Sequence, residues 1–180
     1  MNADSMRDAA RQRAAEVKLA VFDVDGVLTD GSLLFTDSGE AMKRFNTLDG
    51  HGLKMLMQSG IEVAIISGRE SAAVGRRMKE LGISHVFQGI HDKRSAYESL
   101  LKSLGLAYEA VGAIGDDVVD LPILSRCGFA AAVPAAPLFV REHVHLVTAA
   151  HGGFGAAREF CDFILTAQGR LDALQRRYLA

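Results

Sequence analysis

Val21-Phe22-Asp23-Val24-Asp25-Gly26-Val27-Leu28-Thr29 is the stretch where an apolar run meets two carboxylates and a glycine. The run feeding it, Leu19–Phe22, reads as a buried strand, and the Asp-x-Asp-Gly that stops it marks the carboxyl edge of a sheet. Open α/β sheets bind their ligands at that edge. In extended chain, side chains two residues apart share a face and stand ~7 Å from one another. Asp23 and Asp25 can therefore address one reacting centre from two positions. One carboxylate can attack an electrophile such as phosphorus to give an acyl phosphate, while the other lends a proton to the leaving oxygen and later takes one from water.

Outward from this stretch, apolar runs of strand length alternate with segments of helical period. Strands are expected at Leu19–Phe22, Val63–Ile66, His85–Phe87, Ala110–Ile114, Phe129–Val133 and His145–Val147. Helical spacing covers Gly52–Gln58, Ser71–Leu81, Arg94–Leu104 and Leu121–Arg126, with Gly60, Gly82, Gly105 and Gly128 where helices would end. This rhythm predicts an α/β fold, a doubly wound parallel sheet in a single domain spanning residues 1–180. One segment breaks it. Residues 31–45 read as two short extended runs around an Asp-Ser-Gly turn, a β-hairpin inserted after the first strand. Residues 1–16 form an N-terminal extension, and residues 151–180 a Gly-rich entry followed by a helix with Phe160, Phe163, Ile164 and Ala167 on one face. The glycines of that entry could bind an anion or simply turn the chain.

A second acidic cluster, Gly115-Asp116-Asp117-Val118-Val119-Asp120, falls at the end of the fourth core strand, on the same sheet edge. Mg²⁺ prefers oxygen ligands and would offset these charges, with Asp116 placed to ligate it. Asp120, one helical turn on, could orient that ligand or a metal-bound water, and Asp117 could do either or cap the next helix. Ser67 ends the second strand in Ile-Ile-Ser-Gly-Arg and Lys93 follows the third, so a hydroxyl and an ammonium converge on the same place.

Composition narrows the classes. With 49% hydrophobic and 23% charged residues the chain suits a packed globule rather than disorder. A formal charge of −2 gives no broad attraction to nucleic acid. The longest apolar stretch, Phe129 to Val140, is broken by Pro134 and Pro137, too short to span a membrane, and the segment from Met1 to Val17 lacks the apolar core of an export signal. Two cysteines in no metal-binding spacing fit a reducing compartment, so a cytoplasmic location is expected. The six histidines form no HExxH or paired spacing and receive no catalytic role.

Four elements in this order at four strand ends, Asp-x-Asp, Ser, Lys and Gly-Asp-x-x-x-Asp, resemble the haloacid dehalogenase-like phosphatase superfamily. The resemblance implies that Asp23 is the nucleophile and Asp25 the general acid and base. It further implies that Ser67, Gly68 and Lys93 bind the phosphate and that Mg²⁺ is held by Asp23, the backbone carbonyl of Asp25 and Asp116. Most members of that superfamily carry an inserted cap. Here 44 positions separate Asp23 from Ser67 and 26 separate Ser67 from Lys93, leaving the hairpin as the only lid-like element, so the fold is expected to be capless.

More narrowly, Asp-Val-Asp-Gly-Val-Leu-Thr-Asp-Gly, Phe45-Asn46, Asp49-Gly50 with Gly52, Ile-Ser-Gly-Arg, and Gly155-Ala156 with Arg158-Glu159 resemble the 3-deoxy-D-manno-octulosonate 8-phosphate phosphatases. That similarity runs from about Lys18 to Asp172. It implies Mg²⁺-dependent hydrolysis of a sugar-acid phosphate and a homotetramer whose hairpins form a central barrel, with the C-terminal Gly-rich tail over a neighbouring subunit's pocket. It also implies Arg69 and Arg77 near the substrate's carboxylate or hydroxyls. Phosphatases acting on nine-carbon sugar-acid 9-phosphates share nearly all these motifs. A phospho-accepting receiver domain uses a similar acidic site, but its acceptor ends the third strand, where this chain reads Phe87-Gln88-Gly89-Ile90.

Overall fold

The computed structural model describes residues 3–37 and 39–179. Residues 1 and 2 of the expected extension, Ser38 of the expected turn and residue 180 of the C-terminal segment lie outside the described residues. Six strands form one wholly parallel sheet: β1 (Leu19–Phe22), β4 (Glu62–Ile66), β5 (His85–Phe87), β6 (Val111–Gly115), β7 (Phe129–Ala132) and β8 (Leu146–Val147). Their order across the sheet is β5-β4-β1-β6-β7-β8. The chain first runs leftward from β1 and then returns to lay β6 on its other side. The split between β1 and β6 is thus the switch point at which such sheets bind ligands.

Each main-sheet strand expected from the sequence is present within a residue or two of its reading, since continuous apolar runs such as Leu-Ala-Val-Phe suit a sheet covered on both faces. One face carries α2 (Thr47–Gln58), α7 (Ala156–Ala167) and α1 (Ala3–Ala15), which pack on one another. There the Phe160 ring meets Phe22 edge-on at 5.4 Å and stacks on Phe129 at 5.5 Å, and Gly112 leaves only the room Phe160 needs. α4 (Lys93–Leu104) and α5 (Leu121–Leu124) pack together, in keeping with right-handed crossovers onto the opposite face. α3 (Ala72–Leu81) and α4 end on Gly82 and Gly105 in left-handed conformation, as the glycine positions predict.

The N-terminal extension is a helix, docked through Ala10 and Ala14 and tied by Arg13 to the carbonyl of Gly128. Three elements differ from the sequence reading. α2 begins five residues earlier than expected, because Asn46 caps it and accepts the amide of Leu48. Short helices α6 (Leu138–Arg141) and α8 (Leu171–Arg176) were not anticipated. Between β1 and β4 stand β2 (Leu34–Thr36) and β3 (Gly39–Met42), paired antiparallel with a register shift at Leu34/Phe35.

Candidate active site

β1 delivers Asp23 to the sheet edge, where its amide donates to the Ile114 carbonyl of β6 (3.2 Å). The chain then wraps round a single acceptor: the amides of Val27, Leu28 and Thr29 all reach the Val24 carbonyl, at 3.3, 2.9 and 3.0 Å. Thr29, buried, closes the wrap. Its hydroxyl donates to the same carbonyl and accepts the amides of Gly26 and Gly31. Gly26, at φ +94°, lies so close to Asp116 that a Cβ would stand 2.1 Å from its Oδ2. The residue directly after Asp-x-Asp is therefore glycine for two reasons, its backbone angle and its neighbour.

Lys93, the first residue of α4, is 4% exposed and its ammonium donates to Asp23 and to Asp120, at 2.6 Å each. The other oxygen of Asp120 accepts the amides of Asp116 and Asp117, at 3.0 and 3.3 Å. With both oxygens engaged, Asp120 fixes Lys93 and the Asp116 loop. Asp117 caps the turn that follows, where its carboxylate accepts the amide of Val118. Asp23, Asp116 and Asp120 each place a carboxylate oxygen within 4.8 Å of the others.

Three carboxylates and one ammonium leave two negative charges in a buried cluster. Burial, reinforced by Asp120, pushes the Asp23 carboxyl up to about 7 against the pull of Lys93. Burial and then Asp23 push Asp116 up to about 8. A hard divalent cation on oxygen ligands removes this conflict, so the donor set fits Mg²⁺, with Asp23 and Asp116 the residues that would hold it.

The cleft above this cluster, about 330 Å³, is lined by Asp23, Asp25, Ser67, Arg69, Lys93 and Asp116, together with Gly68 at its wall. Ser67 directly follows β4, is buried, and accepts the amide of Arg69 on its hydroxyl. Asp25 carries two cations. Lys43, beyond β3, forms an ion pair with it, and Arg69 stands 3.7 Å from its other oxygen, with its guanidinium over the Phe35 ring of β2. The hairpin thus overhangs the acid of the pair. Lys43 and Thr29 escaped the sequence reading, because a lone lysine beside a hairpin and a threonine after a turn look like solvated or capping residues. His91 also lines the cleft, as no spacing rule foretold.

Arg77 is not brought to this cleft: it lies along α3, its guanidinium close over Gly50 of α2 and 3.5 Å from Glu80. The Gly-rich entry to α7 packs into its own chain. A Cβ on Gly152 would fall 1.7 Å from the Gly26 carbonyl, and one on Gly153 would fall 2.6 Å from the amide of Asp30. A second cavity, about 490 Å³, shares Asp116 and Gly31 with the cleft and is walled by Asp30, His151 and Phe154.

Comparison with known proteins accords with this geometry. The haloacid dehalogenase-like hydrolase family matches residues 45–128. The 3-deoxy-D-manno-octulosonate 8-phosphate phosphatase of Haemophilus influenzae is 46% identical over 160 residues, 89% of each chain. Among solved structures, a probable yrbi family phosphatase from Pseudomonas syringae pv. phaseolica superposes with a TM-score of 0.94 at 55% identity, covering 96% of this chain and 98% of that one. The 3-deoxy-D-manno-octulosonate 8-phosphate phosphatase of Moraxella catarrhalis, solved with magnesium, phosphate and the KDO sugar, gives 0.93 at 43% identity over 95% and 98% of the two chains. On this extent of shared sequence and fold, the chain belongs to the haloacid dehalogenase-like hydrolases, beside their 3-deoxy-D-manno-octulosonate 8-phosphate phosphatases.

Proposed function

We propose that this protein is a Mg²⁺-dependent phosphatase that hydrolyses 3-deoxy-D-manno-octulosonate 8-phosphate to the free sugar acid and phosphate, a step of lipopolysaccharide synthesis. The observation that carries the reading is the buried Asp23–Lys93–Asp120 ion network beside Asp116, at the sheet's switch point and under an overhanging hairpin. An oxygen of Asp23 attacks phosphorus, and the bond from phosphorus to the sugar oxygen breaks as Asp25 gives that oxygen a proton. Asp25 then takes a proton from water as the water attacks the aspartyl-phosphate, freeing Asp23 and phosphate. The Ser67 hydroxyl, the Gly68 backbone and the Lys93 ammonium hold the phosphoryl oxygens, and Arg69 faces the sugar acid. Asp23, Asp116 and the backbone carbonyl of Asp25 would hold Mg²⁺, which would supply charge neutralisation on the transferring group.

The whole chain is read as one catalytic domain. Its hairpin exposes Leu34, Phe35 and Met42 at 48%, 60% and 60%, an apolar strip that supports assembly of four subunits through their hairpins. Two free, buried thiols, Cys127 and Cys161, support a reducing, cytoplasmic setting. The test of substrate is phosphate release, with and without Mg²⁺, from 3-deoxy-D-manno-octulosonate 8-phosphate, nine-carbon sugar-acid 9-phosphates, phosphoglycolate and hexose phosphates. Preference for the eight-carbon ester is expected. Preference for a nine-carbon ester would keep the chemistry and replace the substrate, and no release from any ester would overturn the reading.

A further inference from the structure

Asp49 is an acid that the phosphatase chemistry does not use. It is 1% exposed, lies in the first turn of α2, and sends its carboxylate across to another helix. Its Oδ1 accepts the amide of Arg158 at 2.8 Å and its Oδ2 that of Gly155 at 3.3 Å, both at the start of α7. Gly155 is the N-cap of that helix and has no side chain with which to cap it, so a carboxylate from α2 does so instead. The α7 helix is twelve residues long, and a charged acceptor at its N-terminus is favourable.

The consequence lies in what precedes Gly155. Glu159, one turn into α7, accepts the amides of Ala149 and Ala150, at 3.0 and 2.9 Å, so two carboxylates clamp the Gly-rich segment at entry and exit. Between them the Gly153 amide donates to the Val27 carbonyl (2.9 Å), and Asn46 donates its side-chain amide to the Gly153 carbonyl (3.3 Å). Gly152 rests on the Gly26 carbonyl at a distance no side chain would allow, and Gly26 in turn rests on the Asp116 carboxylate. Contact is therefore unbroken from Asp49 through three glycines to the acidic cluster.

We propose that Asp49 is a positioning residue for the reaction: by capping α7 from α2 it presses the Gly-rich segment onto the Asp25-bearing loop and so fixes the distance between that loop and Asp116. The proposal rests on the phosphatase reading for its kinetic readout alone. Its other readouts are Mg²⁺ affinity measured by calorimetry and amide hydrogen exchange of residues 26–31. In Asp49→Asn one acceptor survives but an amide group faces a backbone donor. The variant is expected to lower kcat about tenfold with KM within about twofold, to weaken Mg²⁺ binding severalfold, and to speed exchange in 26–31.

Asn46→Asp keeps the acceptor that caps α2 and loses the donor to Gly153; it is expected to move the same quantities in the same direction by a smaller factor, and it decides the matter if Asp49→Asn does not fold. Leu165→Ala, a buried change far along α7, controls for lost stability and is expected to lower Tm while leaving kcat and Mg²⁺ affinity at the parent values. Parent values in both polar variants would overturn the proposal. So would losses in Leu165→Ala that scale with its drop in Tm as they do in Asp49→Asn. If the parent releases phosphate from no ester, the functional reading fails, and calorimetry with exchange still decides the role of Asp49.

Discussion

Lys93 holds two buried carboxylates with one ammonium, and little else in the protein concentrates so much opposed charge in so small a space. Removing one partner of such a cluster leaves the others uncompensated in low dielectric. Lys93→Met is expected to destabilise the chain by about 3 kcal/mol at pH 7.5 in EDTA. The loss should shrink at pH 5, where Asp23, already pushed up by burial and Asp120, is protonated, and Mg²⁺ should restore part of it at pH 7.5. Urea unfolding under the three conditions checks this, and a loss independent of pH and metal would contradict the electrostatic account. A quieter buried group is the hydroxyl of Tyr97, fully buried and without a hydrogen-bond partner among the described residues. Tyr97→Phe removes its desolvation cost and should raise stability by about 1 kcal/mol, roughly 2–4 °C in Tm. A lower Tm would show that the hydroxyl is satisfied in solution.

At the scale of elements, the strands were legible because parallel strands covered on both faces are runs of apolar residues, and Leu19–Phe22 or Ala-Ile-Ile of β4 can be little else. The beginning of α2 was not. The helical spacing was visible only from Gly52 on, and Gly50 and Gly52 are the flat places where Arg77, Arg158 and Cys161 pack against the helix. Tertiary packing overrode local propensity there. In α1 propensity and packing agree: its Ala- and Arg-rich sequence favours a helix, which is docked by its alanines and one long-range bond from Arg13.

β8, only two residues long, depends on a side chain: His145 Nδ1 accepts the amide of Ala130 at 2.9 Å, and the ring stacks on Phe129. Burial, then Arg13, hold its imidazole below the usual range. The folded state therefore favours the neutral ring. Its contribution is complete above the unfolded value of ~6.5 and declines as pH falls below it. Between pH 7.5 and 5.5 the parent should lose more stability than His145→Gln; equal losses in urea unfolding would place the pH dependence elsewhere.

For the molecule as a whole, Asp23, Asp25, Ser67, Lys93, Asp116 and Asp120 were legible because each stands at the end of an apolar strand or just after one, and the sheet's topology carries strand ends to one edge. Lys43 and the packing of Gly152 on Gly26 were not legible, since both depend on how far the hairpin and the C-terminal segment fold back, which no local pattern records. Arg77 illustrates the converse, a helical arginine near the motifs that the single chain turns away from the cleft. The exposed hairpin strip makes assembly the remaining expectation at this scale. Sedimentation at micromolar concentration should give a tetramer, and Phe35→Glu should give smaller species. A monomeric parent would remove the hairpin from any shared role.

The most direct test of the account concerns the bond it says Asp23 forms. Acid quench of a single turnover followed by borohydride reduction converts an aspartyl-phosphate to homoserine, which peptide mass analysis locates. Homoserine at position 23, dependent on substrate and on Mg²⁺ and lost in Asp23→Asn together with turnover, is the predicted result. Phosphate release at the parent rate from Asp23→Asn, or a reduced residue elsewhere, would contradict it.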